Sequence, residues 1–123
     1  MTTPLNGIFE GDHMAFDEAL AERVRRLLAR RKVVEEKKMF SGLAFLLDGH
    51  LLVGVRKDTL LVRVGSDEGE AALLEPHVKP FESRGKVMKG WVLVAAEGVA
   101  EDDQLKEWAR RAIAFVGTLP AKS

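Results

Sequence analysis

Two stretches of the chain repeat apolar residues every three or four positions, which is the spacing of an amphipathic helix. In residues 15–32 these positions are Phe16, Leu20, Val24, Leu27 and Leu28. Near the C-terminus, ahead of Pro120, they are Leu105, Trp108, Ala109, Ala112, Phe115, Val116 and Leu119. The first stretch also begins with acidic and ends with basic residues, which complement the helix dipole. The pattern therefore predicts one long helix at each end of the chain.

Between these two helices the pattern changes to that of strands. Apolar residues fill residues 39–47 and 51–55, and Asp48 and Gly49 stand between them. An Asp-Gly pair between apolar runs is a strong hairpin signal, because both turn residues tolerate positive φ. Lys57 and Asp58 form a second break before residues 59–64. We therefore expect a three-stranded antiparallel meander.

The following segment predicts a short acidic helix from Ser66 to Glu75 and then two more strands. Phe81 and Val87 suit an edge strand, and residues 91–96 form an apolar strand bounded by glycines. Each helix has one apolar stripe to bury, so the economical packing places the helices on a single sheet. The sequence thus predicts an α+β fold of order α-β-β-β-α-β-β-α, with one antiparallel five-stranded sheet.

Length and composition limit the class of protein. A chain of 123 residues is enough for one domain with a core of its own, and it contains no cysteine for disulfides or thiolate sites. Residues 1–13 show no sustained period and are predicted to be a disordered extension or a cloning remnant, ahead of a domain over residues 14–120. No stretch resembles a membrane span or a secretion signal, so a cytoplasmic location is expected.

Residues suited to catalysis or metal binding are present, but their spacing is not that of a known site. The histidines are His13, His50 and His77, and the carboxylates near the turns are Glu35, Glu36 and Asp48. No hydroxyl residue stands in a nucleophile elbow, and no glycine-rich turn opens a helix after a strand. We therefore predict no catalytic residue, no cofactor, no metal site and no enzymatic activity.

Charge is balanced overall but is unevenly distributed. The 19 basic and 19 acidic residues cancel, which removes the global attraction on which nonspecific nucleic-acid binding depends. Residues 22–38 nevertheless hold eight basic and three acidic residues, whereas residues 97–107 hold five acidic residues and one basic residue. Separated charge of this kind can orient a partner or favour head-to-tail self-contact.

Three stretches carry a recognisable family pattern. They are residues 14–20 (MAFDEAL), residues 38–45 (KMFSGLAF) with the Asp48, Gly49 and His50 that follow, and residues 88–92 (MKGWV). Together with residues 105–108 and the Leu119–Pro120 pair, they resemble the N-terminal domain of the TfoX (Sxy) family, regulators of bacterial competence genes. The family usually has glycine where this chain has Ser41.

The resemblance implies an α+β fold of the secretion-chaperone-like class, and it supplies no catalytic residue to transfer. Larger relatives act through partner proteins in transcription control and append a second, helical domain. Because this sequence stops at Ser123 without such a domain, we expect a stand-alone TfoX-like protein.

The leading hypothesis is a non-enzymatic protein-interaction module with a regulatory role. Its partner is expected to be a protein, either a transcription regulator or a second copy of the chain, with no membrane and no direct nucleic-acid contact. The candidate interaction residues are Lys38, Met39, Phe40 and Gly42, with a basic rim of Arg26, Arg30 and Arg31. Two alternatives stay open: a ligand-binding or catalytic pocket between sheet and helix that uses His50 or Glu36, and weak nucleic-acid binding by the basic first helix.

Overall fold

The computed structural model describes residues 16–29, 34–39 and 42–120. Its helices are α1 (Glu18–Leu27), α2 (Ser66–Ala72) and α3 (Asp102–Val116), with a 3₁₀ turn at Ala96–Gly98. Its strands are β1 (Val34–Met39), β2 (Gly42–Leu47), β3 (His50–Arg56), β4 (Thr59–Arg63), β5 (Val78–Ser83) and β6 (Lys86–Val94). The prediction for residues 1–13 lies outside the described residues.

The strands form one antiparallel sheet in the order β1-β2-β3-β4-β6-β5, which confirms the predicted α+β class. The sheet has six strands rather than the expected five, and the element order gains a strand after the first helix. The additional strand is β1, which pairs with β2 from Val34 opposite Leu47 to Met39 opposite Gly42. Its sequence, VEEKKM, has no apolar alternation because it is an exposed edge, so the pattern gave no sign of it.

Both long helices lie on one face of the sheet. Leu20 and Val24 of α1 and Leu105 and Trp108 of α3 share a core with alternate residues of the strands, among them Phe45. The carboxylate of Asp17 accepts a hydrogen bond from the Leu20 amide at 3.0 Å and so caps α1. The described part of α1 ends at Leu27, earlier than the periodicity predicted.

The opposite face of the sheet carries a second apolar cluster to which no described helix contributes. It contains Ala44, Leu46, Leu51, Leu61 and Phe81. The central strands β2 and β3 are buried along almost their whole length, because apolar clusters lie on both of their faces. This explains why their sequences are nearly continuous apolar runs.

Turn geometry confirms the predicted hairpin between β2 and β3. Asp48 and Gly49 both adopt positive φ, at 53° and 85°, and Leu47 pairs with His50 across the turn. Over the part of the chain that is described, no helix has both the length and the apolar character needed to cross a bilayer.

Candidate functional site

Of the predicted interaction residues that the structure describes, Arg26 lies on α1 and Lys38 lies on the edge strand β1. Arg25 joins the two elements: its Nε and Nη2 donate to the Glu36 carboxylate at 2.6 and 2.9 Å. These bonds lower the pKa of Glu36 and raise that of Arg25, so both groups are charged at neutral pH. The ion pair fixes the C-terminal half of α1 against the exposed edge of the sheet.

The structure brings only part of the predicted set together. Lys38 and Arg26 are both exposed, and Arg26 makes one long contact with Glu22, at 3.8 Å. Met39, next to Lys38 on an extended strand, faces the other side of the sheet and packs against its helix-free cluster. Phe40, Arg30 and Arg31 lie outside the described residues.

Gly42 has a structural reason to be glycine. It is buried at the start of β2, and a Cβ placed there would lie 2.2 Å from the carbonyl oxygen of Val55 on β3. The missing side chain therefore allows β2 and β3 to approach each other at this point. The contact of Gly42 with a partner stays a prediction.

The two groups proposed for an alternative ligand or catalytic pocket do not converge. Glu36 lines a small cavity of about 150 Å³ between α1 and the sheet, where Arg25 holds its carboxylate. His50 does not line this cavity, and its Nε2 lies 2.6 Å from the carbonyl oxygen of Pro120. Among the described residues, no group of three or more His, Asp or Glu side chains could hold a metal ion.

A second surface, which the sequence analysis did not single out, lies at the opposite edge of the sheet. It is a groove of about 450 Å³ between α2 and the β5–β6 hairpin, and we call it the corner groove. Leu73, Val87 and Met88 line it together with Pro80 and Trp91.

Two glycines determine how closely α2 approaches the hairpin. A Cβ on Gly69 would lie 3.2 Å from the backbone of Gly90, and a Cβ on Gly90 would lie 2.9 Å from the carbonyl carbon of Gly65. Gly90 also adopts φ of +86°, and its carbonyl accepts hydrogen bonds from the amides of Val64 and Gly65 at 2.8 and 3.1 Å. This close crossing holds α2 over the middle of β6 and makes it one wall of the corner groove.

The other wall is a hairpin arm, residues 82–89, that extends beyond the neighbouring strand. β4 pairs with β6 only from Trp91 to Val94, whereas β6 begins at Lys86 and pairs there with β5 alone. The tip of the arm is a tight turn in which Arg84 and Gly85 have φ of 54° and 80°. Within the described strands, residues 86–89 therefore have a free backbone edge, and their side chains are exposed.

Opposite charges flank the corner groove. Its α2 wall carries Asp67 and Glu70, and the hairpin arm carries three cations, Arg84, Lys86 and Lys89, beside one acid, Glu82. Within the described part of the chain none of these six residues takes part in an ion pair. Their charges are therefore available to another molecule.

A larger groove of about 550 Å³ lies between the start of α2 and α3, but its cations are already paired. Arg110 donates to Glu107 at 2.9 and 2.6 Å, and Arg111 donates to Glu107 and to Glu75 at 3.1 and 2.7 Å. The hydrogen bonds from Arg110 and Arg111 lower the pKa of Glu107 to about 2. This network ties α3 to the turn after α2 and leaves neither arginine of the larger groove unpaired.

One cation beside the corner groove is held by aromatic rings. The Arg63 guanidinium lies 4.9 Å from the ring centre of Trp91 and 5.6 Å from that of Phe115. Burial lowers the pKa of Arg63. The stack links the end of β4 to β6 and α3 and holds Trp91 in place at the side of the groove.

The signals for the corner groove in the sequence are short and ambiguous. Leu73 and Leu74 follow a helix of only seven residues, and Val87 and Met88 interrupt a run of polar residues. These residues predict an edge strand and a helix end, but their position around one groove depends on contacts distant in sequence.

Comparison with known proteins supplies one match. Residues 26–116 match the family model described as the TfoX N-terminal domain, and this range covers the last two residues of α1, the whole sheet, α2 and all of α3. No curated protein matches the chain. Because the family match spans most of the chain and the observed elements agree with the resemblance noted in the sequence, the chain belongs to the TfoX N-terminal domain family.

Proposed function

We propose that this chain is a non-enzymatic protein-interaction module of the competence-regulator type. The observation that carries the proposal is the concentration of exposed apolar side chains at the corner groove. Among the described residues, the exposed large hydrophobic residues are Leu73, Leu74, Val87 and Met88, with exposed fractions of 37, 87, 54 and 37%. Three of the four line this groove, and Leu74 is adjacent in sequence to Leu73.

Exposing this group of apolar side chains to water is unfavourable for an isolated chain. Burying one such side chain is worth about 1.5–3 kcal/mol relative to leaving it in water. Single exposed hydrophobic residues are ordinary, whereas a contiguous group with a polar border is typical of a protein interface. Asp67, Glu70 and Lys89 form part of such a border here. A protein partner that covers the groove buries the apolar side chains that the isolated fold leaves exposed to water.

The α1–β1 surface supports a second contact of a different kind. Its exposed groups, Arg26 and Lys38, are charged, so they contribute more to the orientation and rate of encounter than to affinity. The predicted rim with Arg30 and Arg31 would extend the same positive surface. In this proposal the corner groove supplies apolar affinity and the α1–β1 surface steers the partner.

The family supports the regulatory part of the proposal. A TfoX N-terminal domain suggests action in transcription control through other proteins. In this proposal the chain works in the cytoplasm and acts on genes only through a partner that binds DNA. The chain itself then needs no nucleic-acid surface, and its balanced charge suits that role.

The test compares capture by the wild-type chain, by Met88→Glu and by a control, Lys106→Glu, which alters an exposed residue of α3 outside the groove. We expect the wild type and the control to retain a stoichiometric protein from native lysate, and Met88→Glu to lose it. The same dependence must hold when the two purified proteins are mixed. Circular dichroism and thermal melting establish that each variant is folded.

Two results would contradict the proposal. One is the absence of any stoichiometric protein partner, including a second copy of the chain. The other is binding that Met88→Glu leaves unchanged in the purified system.

A further inference from the structure

We propose that the corner groove binds a second copy of this chain through a two-fold interface. The inference rests on the proposed function, because it takes the groove to be a protein-binding surface and names the protein that fills it. Three features of the groove support a second copy: the opposite charges of its two walls, the free edge of the hairpin arm and the exposed apolar residues between the walls.

The charges of the groove are complementary to each other. In a two-fold interface the same patch meets itself, so each group on one copy faces a different group of the same patch on the other. Here the acidic wall, Asp67 and Glu70, stands across the groove from the basic arm with Lys86 and Lys89. Rotation by 180° about an axis through the groove brings the arm of each copy to the acidic wall of the other. A patch of one sign would instead repel its own copy.

The hairpin arm also lacks a third element to pack against within the described chain. Lys86 and Val87 pair with Ser83 and Glu82 of β5, and residues 86–89 have no strand of the described chain on their other side. Two-stranded hairpins are at best marginally stable in water without packing on a third element. The acidic wall of a second copy would supply that third element and would cover Val87 and Met88.

The apolar residues complete the surface. Leu73 lies on the α2 side, Val87 and Met88 lie on the arm, and all three are exposed in the isolated chain. When the walls of two copies interlock, these side chains meet in the centre, with the charged groups around them. An apolar centre inside a polar rim is the usual arrangement of an interface.

The experiment uses two charge-reversed forms of the full chain and measures mass in solution by light scattering and sedimentation equilibrium. The wall variant carries Asp67→Lys and Glu70→Lys, and the arm variant carries Lys86→Glu and Lys89→Glu. We expect the wild type to be a dimer whose dissociation constant rises with salt, because the contacts are partly ionic. Each variant alone should dissociate at least about tenfold more readily, since like charges then face each other at both contacts.

The decisive measurement is an equimolar mixture of the two variants. In the mixed dimer the reversed wall of one chain meets the reversed arm of the other, and the two unaltered segments also pair with opposite sign. We expect the mixture to recover dimers that neither variant forms alone. Misfolding of either variant cannot produce this result.

Three outcomes overturn the inference. They are a wild-type chain that stays monomeric at millimolar concentration, variants that dimerise as tightly as the wild type, and a mixture of folded variants that stays monomeric. Met88→Ala provides an independent check, because it should weaken the dimer by removing apolar surface while the charges of both walls stay the same. If the wild type is monomeric but captures another protein through the groove, this inference fails and the proposed function stands. If it binds neither, both fail.

Discussion

Two regions of this protein hold apolar side chains in opposite circumstances. Under the long helices, Phe45 and Trp108 are no more than 5% exposed, whereas Val87 and Met88 at the corner groove are 54 and 37% exposed. The difference follows from how far each covering element reaches. α3 has 15 residues and packs along β3 and β4, while α2 has seven and covers β6 only around Gly90. Apolar character alone therefore does not identify the core; coverage by another element does.

The largest expected effect is the difference in the free energy of unfolding between variants of these two regions. Trp108→Ala removes a buried side chain under α3 and should lower the free energy of unfolding by about 3–5 kcal/mol. Met88→Ala, at a protein concentration low enough to keep the chain monomeric, should change it by no more than about 0.5 kcal/mol. Urea denaturation followed by circular dichroism measures both. Equal losses would show that the corner is part of the core.

A matched pair of glycines sharpens the same contrast. Gly65 has φ of +89°, and a Cβ there would lie 2.6 Å from the Phe115 ring, whereas Gly85 at the tip of the arm has φ of +80° and nothing within 4 Å. Alanine at Gly85 should cost only the backbone strain, about 1–2 kcal/mol. Gly65→Ala adds a collision between α3 and the turn before α2, so its cost should be larger by about 1–3 kcal/mol. Thermal melts of the two variants test this order.

The acid dependence of stability should depend on the network that ties α3 to α2. Arg110 and Arg111 hold the pKa of Glu107 at about 2, below the ordinary value of a glutamate. Its contribution is therefore complete above about pH 4.5 and is lost as the pH falls towards 2. Because the side chain of Glu107 is more than a third exposed, we expect a loss of only about 0.2–1 kcal/mol. The free energy of unfolding is measured by denaturation at pH 7 and pH 3 for the wild type and for Glu107→Gln. The wild type should lose more stability between the two pH values than the variant does, because only the wild type has the carboxylate.

The smallest effect should be at the α1–β1 surface. A double-mutant cycle on Arg25→Met and Glu36→Gln should give a coupling of about 0.2–1 kcal/mol, since both side chains are more than a third exposed. The coupling should shrink in high salt. A coupling of several kcal/mol would mean that this ion pair holds α1 in place more strongly than its exposure suggests.

Local features of the fold could be predicted well where one element sets its own pattern. The periodic apolar stripes of α1 and α3 and the Asp48–Gly49 turn all appear as expected. The strand β1 could not be predicted, because an exposed edge needs only a hydrogen-bonding neighbour and VEEKKM carries no alternation. The role of the predicted interaction residues stays a prediction, but their placement could not be predicted, because Lys38 and Met39 are neighbours in sequence and face opposite sides of the sheet.

The amino-acid sequence by itself determined the helical stripes, the tight turn and the family, because each depends on residues close together in the chain or on a shared motif. Only the tertiary structure decided which apolar residues remain uncovered. Val87 and Met88 lie at the surface because β6 extends beyond β4 and α2 is short, and both facts concern contacts between segments distant in sequence. Burial is a property of what lies opposite a side chain, and a linear pattern does not contain that information.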